Sequence, residues 1–256
     1  MIDHFKNKIS EVKRLKLIYK LRAYKAMFFP FNLSKIALLH KTDKYGGHNY
    51  TPHYQQHFKK FKFKRNTILE IGVGGYKEPC RGGNSLRMWK TYFPFSKIYS
   101  LDIYDKSLLQ ERRIKIFKGS QVDIPFLDTI TTETGDFDLI VDDGSHINEH
   151  VIESFKYLFP KLNKGGIYVV EDTQTSYWDD YGGDSKNLEN KQTIYGYFKA
   201  LVDALNNEEF LIDGYKKTYF DKHIVSMHFY HNMIFIYKGD NDEKSNYVVN
   251  NKRPNA

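Results

Sequence analysis

A chain of 256 residues with 41% hydrophobic and 27% charged side chains has room for one large α/β domain plus a short appendage. The single cysteine, Cys80, excludes an internal disulfide framework, no apolar run is long enough to span a bilayer, and the N-terminus lacks a signal-peptide pattern, so the expected compartment is the cytoplasm. The net charge of +8 is localised: residues 1–41 hold ten Lys and Arg against Asp3 and Glu11, which leaves residues 42–256 neutral and disfavours a nucleic-acid substrate.

Residues 1–28 place Ile2, Phe5, Ile9 and Val12, then Leu15, Ile18, Leu21 and Tyr24, at helical spacing before Pro30. The expectation is a basic helical arm over 1–41, docked on its own domain or on another subunit of a homo-oligomer. A membrane role is disfavoured for want of a lipidation site. From residue 66 strands and helices alternate. Thr67–Gly72 reads as a buried strand entering a glycine turn, and a helix is expected over 84–92. Further strands fall at 97–102, 114–117, 137–142 and 166–170, with a helix over 148–158. Residues 224–230 and 233–237, separated by His231-Asn232, read as an antiparallel hairpin. The predicted fold is Rossmann-like α/β, a mostly parallel seven-stranded sheet with an antiparallel C-terminal hairpin, over residues 42–240, followed by a flexible tail over 241–256.

Ligands of such sheets bind beyond the carboxyl ends of the strands. Glu70-Ile71-Gly72-Val73-Gly74-Gly75 stands there after the first strand, although Gly-x-Gly alone also serves as a plain strand-to-helix turn. Asp102 closes the second strand, where a carboxylate can accept the two hydroxyls of a ribose. Glu70 suits a cationic amino-acid moiety better than a pyrophosphate, and position 77 is Lys where a dinucleotide fingerprint wants a third glycine. These features favour S-adenosylmethionine over NAD. Asp102 lies 32 residues beyond Glu70, an excess that the loop 76–83 largely supplies. The expected cofactor contacts are Tyr54, Glu70, Gly72, Gly74, Asp102, Ile103, Ser120, Gln121, Asp123 and Asp142.

Asp142-Asp143-Gly144-Ser145-His146 follows the fourth strand and Glu171-Asp172 the fifth. Carboxylates gathered on one rim repel one another without a cation, and hard oxygen donors suit Mg²⁺. Capping of the following helices is the structural alternative for any one of them. The stretch Thr42-Asp43-Lys44-Tyr45-Gly46-Gly47-His48-Asn49-Tyr50-Thr51-Pro52-His53-Tyr54 resembles the macrocin- and mycinamicin-type sugar O-methyltransferases. So do the stretches 69–76, 119–123, 142–146 and 171–178. The resemblance implies methyl transfer from S-adenosylmethionine to a sugar hydroxyl, with Mg²⁺ held by Asp143, Glu171 and Asp172. It implies His146 as general base, with Asp143 beside it in the catalytic set. Residues 1–41 do not match the auxiliary domain that some members carry. A phosphate-type or amine acceptor is the alternative for a methyltransferase, and a nicotinamide-dependent sugar enzyme is the weaker rival, since no Tyr-x-x-x-Lys pair stands after the fourth or fifth strand.

Overall fold

A computed structural model describes residues 2–253, with side chains from residue 14 onward; Ile2, Phe5, Ile9 and Val12 fall outside the described side chains, and 254–256 outside the described tail. Two compact units divide the chain at Gly135.

The first unit opens with α1 (Ile2–Ala26), α2 (Leu33–His40) and α3 (Thr51–Phe58). Three strands follow: β1 (Thr67–Ile71), β2 (Lys97–Asp102) and β3 (Ile114–Lys118). The helix α4 (Asn84–Tyr92) joins the first two, and α5 (Ile124–Thr134) follows the third. The strands are parallel in the order β3-β2-β1, with Leu69 opposite Tyr99 and Ser100 opposite Ile116. β1 is buried from Ile68 to Ile71, as a parallel strand covered on both faces must be. The aromatic side chains Tyr54, Phe58, Trp89 and Phe93 pack into one cluster and fix α3 against α4. The arm is docked: α1 packs on α2 and α4, Tyr19 and Ala26 are buried, and an Arg22 Nη donates to the His40 carbonyl.

The second unit holds β4 (Phe137–Asp142), α6 (Asn148–Leu158), β5 (Leu162–Glu171), α7 (Ile194–Ala200), α8 (Tyr219–His223), β6 (Ile224–Tyr230) and β7 (Met233–Lys238). β4 and β5 are parallel, β7 runs antiparallel to both β5 and β6, and the order is β4-β5-β7-β6. β5 starts four residues before the expected strand, at Leu162. It continues through a register shift against β4, and Gly165 takes φ +83° in that stretch. The described part of the expected tail is hydrogen-bonded: Asn241 Nδ2 donates to the Ala204 and Asp221 carbonyls, and Asn251 Nδ2 to that of Phe210. Among the described residues no helix is long and apolar enough to cross a membrane.

Candidate functional site

The glycine turn after β1 is built as a closed loop. Gly72, Gly74 and Gly75 have φ of +93°, +75° and +78°, values that residues with a Cβ rarely adopt. The loop 76–83 folds back on the turn, and the Gly83 N–H donates to the Val73 carbonyl at 2.7 Å. A Cβ on Gly75 would collide with the Arg81 carbonyl, and one on Gly82 with the Gly74 carbonyl. Buried Lys106 ties the same loop down by donating to the carbonyls of Glu78 (2.8 Å) and Arg81 (3.1 Å). A Cβ placed on Gly74 would meet nothing within 4 Å, so the backbone is bare there. This is how the chain accommodates an acidic residue so far beyond the turn.

Asp102 ends β2, and its carboxylate accepts from Val73 N–H (3.0 Å) and Tyr104 N–H (2.9 Å). Each carboxylate oxygen keeps a further lone pair for a diol. Ile103 beside it is 60% exposed. Ser120 and Gln121 follow β3, and Gln121 is buried. Asp123 caps α5 by accepting from Phe126 N–H at 3.1 Å. Glu70 and Tyr54 are fully buried. The cation set against Glu70 is Lys44 Nζ, at 3.2 Å and equally buried, and the Tyr54 ring lies against Phe58 and Trp89. Lys44 was not among the expected site residues. Its only sequence signal is its place in the stretch 42–54.

In the second unit the turns after β4 and β5 bring Asp143, His146 and Asp172 together, with one donor atom of each within 4.8 Å of the others. His146 Nε2 lies 3.8 Å from Asp143 Oδ1 and 3.6 Å from Asp172 Oδ2, and all three side chains are partly exposed. His146 and Asp172 have φ of +57° and +53°, left-handed conformations that are uncommon for residues with a side chain. Glu171, the third expected ligand, is buried at the end of β5 and lies outside this three-residue group. Asp142 is buried too, and the Tyr168 hydroxyl donates to its Oδ2 at 3.0 Å. That contact, with burial, lifts the Tyr168 phenol well above its ordinary range; burial is the larger cause.

Buried Asn148, at the start of α6, braces the segment that follows β5. Its Nδ2 donates to the carbonyls of Thr175 and Tyr181, both at 2.9 Å, and its Oδ1 accepts from Ile194 N–H at 2.6 Å. Neither Tyr168 nor Asn148 was picked out from the sequence, because each is an ordinary strand or helix residue until its partner is known. Two carboxylates and an imidazole with their donor atoms this close are a group that could hold a metal ion.

No family model matches the chain. Curated relatives do. The mycinamicin VI 2''-O-methyltransferase of Micromonospora griseorubida is 47% identical over 214 residues, which cover 83% of this chain and 54% of that protein. The demethylmacrocin O-methyltransferase of Streptomyces fradiae is 46% identical over the same span, again 54% of that protein. A tetracenomycin rhamnosyl 2'-O-methyltransferase of Streptomyces olivaceus is 43% identical over 82% of this chain and 55% of its own length. Among solved structures, the MycE methyltransferase of mycinamycin biosynthesis, in complex with Mg and SAH, superposes with a TM-score of 0.81 over 83% of this chain and 54% of that one. The chain therefore spans about half the length of the relatives it matches. Seven strands, mostly parallel with an antiparallel C-terminal pair, place it in the class I methyltransferase fold. Over the 214 aligned residues it is similar to macrocin- and mycinamicin-type sugar O-methyltransferases.

Proposed function

We propose that the protein transfers the methyl group of S-adenosylmethionine to a sugar hydroxyl of a glycosylated small molecule, with assistance from Mg²⁺. The observation that carries this reading is the convergence of Asp143, His146 and Asp172 on two turns of one unit. When bound, S-adenosylmethionine supplies the methyl group on a sulfonium leaving group, and Mg²⁺ supplies a Lewis acid that makes the acceptor hydroxyl more acidic. Asp143 and Asp172 hold the cation, with Glu171 completing the acidic set, and the imidazole faces both aspartates. With the cofactor bound, His146 Nε2 would take the hydroxyl proton as the O–C bond forms and the S–C bond breaks, its electron pair staying on sulfur as a neutral thioether, so that the positive charge passes from sulfonium to imidazolium. Asp102 binds the ribose hydroxyls, the bare backbone at Gly74 lets the nucleoside lie close, and Ser120 and Gln121 stand beside the adenine. The Tyr168 hydroxyl, donating to Asp142, orients that carboxylate. Tyr177 and Trp178, exposed in the segment after Asp172, offer ring faces to a sugar. Residues 42–240 form the catalytic part, with the arm of 1–41 appended.

The test is mass spectrometry of the protein incubated with S-adenosylmethionine, Mg²⁺ and a panel of glycosylated acceptors. A gain of one methyl on the sugar is expected; it should vanish in EDTA and return with added Mg²⁺. His146→Ala should lower kcat by about 10²–10⁴-fold with cofactor affinity unchanged. Full turnover in excess chelator would remove the metal from the reaction. An undiminished rate in the variant would move the base elsewhere.

A further inference from the structure

The docked arm has two apolar faces, and only one of them is used. At about 100° per residue, Leu17, Leu21 and Tyr24 fall within about 60° of one another on the helix wheel. Tyr19 and Ala26 fall on the opposite side, which is the side packed on α2 and α4. The outward three are all exposed, Leu21 at 54% and Tyr24 at 63%. The sequence periodicity groups Leu21 and Tyr24 with Leu15 and Ile18 as one stripe, whereas the structure turns them to the outside.

The stripe does not end with the helix. The Tyr24 and Phe28 rings meet edge-to-face at 5.5 Å, and Met27, Phe28, Phe29 and Phe31 are exposed in sequence around the chain's exit from α1. Phe31 pairs with exposed Phe63 at 6.1 Å, with Lys62 Nζ over both rings. Single exposed apolar side chains are ordinary, but so many on one helix face and the turn that follows it mark a surface that something covers.

Charge decides what covers it. On the same wheel Arg14 and Lys25 lie along one flank of the stripe and Lys16 and Lys20 along the other, and all four are exposed. Between Arg14 and Lys41 there are seven basic residues and no acidic one. Residues 1–41 as a whole hold ten basic side chains against only Asp3 and Glu11, so a second copy of the chain laid on this face would set one lysine-rich surface against another. An anionic lipid surface answers every one of those lysines. We propose that the outward face of α1, continued by Phe31 and Phe63, is an interfacial docking surface for anionic membranes. The apolar stripe enters the headgroup boundary while the flanking lysines extend outward to lipid phosphates. The helix lies on the membrane and does not cross it, and the attachment is reversible and salt-sensitive.

The test is co-sedimentation of the full chain with phosphatidylcholine vesicles and with vesicles that also contain phosphatidylglycerol. Binding is expected to the anionic vesicles alone, and to weaken as salt rises. Each of Lys16→Gln, Lys20→Gln and Lys25→Gln should lower the partition coefficient about fivefold, the equivalent of one lysine at an anionic surface. Leu21→Glu should abolish binding, with circular dichroism confirming an intact fold. Failure to bind anionic vesicles would overturn the proposal. So would concentration-dependent dimerisation in sedimentation velocity that Leu21→Glu removes, since a second copy would then be the occupant. Equal loss of binding in Leu38→Glu, an exposed position on α2, would show a non-specific effect and overturn it as well.

Discussion

Lys44 and Glu70 form an ion pair from which water is excluded: Nζ lies 3.2 Å from Oε1, and the side chains are 1% and 0% exposed. Such a pair is worth little against an apolar replacement of both partners, but breaking it from one side leaves a buried charge with one of its partners gone. Lys44→Met keeps the length of the side chain and removes only the ammonium. The expected cost is about 3–5 kcal/mol, a large share of the roughly 5–15 kcal/mol that holds a domain folded. In a chain of this size that corresponds to a fall in Tm of about 6–20 °C. Urea titration should show a lower midpoint with an unchanged slope. The double variant Lys44→Met/Glu70→Gln should recover most of the loss, because no isolated charge remains. A loss below about 1 kcal/mol in Lys44→Met, or simple additivity in the double-variant cycle, would refute the reasoning. Stability left intact with S-adenosylmethionine binding abolished would instead assign the pair to the cofactor.

Asp102→Ala removes the carboxylate offered to the ribose and should weaken S-adenosylmethionine binding by about 1–3 kcal/mol in calorimetry, with NAD showing no binding. Tyr168→Phe takes away a 3.0 Å donor from buried Asp142 and should cost about 1–3 kcal/mol in urea titration; no loss would mean that the other contacts of Asp142 suffice. Burial, and then the charges of Arg87, Arg22 and Lys90, push the His40 imidazole down to about 4. The unfolded chain binds that proton more readily, so stability is whole above pH 6.5 and falls as pH drops toward 4, by up to about 1.4 kcal/mol per pH unit. His40→Gln should flatten that slope, and an unchanged acid limb would show that other groups set it.

Elements that bury both faces were legible because their apolar runs are continuous. β4 begins and ends where the sequence places it; β2 and β6 do so too, although β2 is only partly buried and β6 is buried only at Ile224. β5 was read short because Asn163, Lys164 and Gly165 look like a turn, yet the backbone carries the strand through them. The eight-residue helices α2 and α3 passed unnoticed: each offers barely two turns of periodicity, and α3 is mostly Tyr, His and Gln. α5 is rich in Thr, a poor helix former, and its start is set by the Asp123 cap and Pro125. The acidic and histidine positions of the candidate site were readable from their strand ends. The contact between Lys44 and Glu70 was not, since no period links residues that meet only after the chain has folded.

What the sequence could not carry is backbone conformation at the site. His146 and Asp172 are both left-handed, at φ +57° and +53°, a cost of order 1 kcal/mol or more each that a free chain would not sustain. Each is held by ordered neighbours. Asp172 follows β5, whose last pairing is Glu171 with Met233. His146 sits two residues before the Asn148 that ties α6 to the 175–194 segment. The imidazole thus faces two aspartates before any ligand arrives, and the ordering cost is met by the fold rather than at the moment of binding. That is the arrangement preorganisation requires, and under the proposed function it makes positioning residues such as Asn148 matter to the rate.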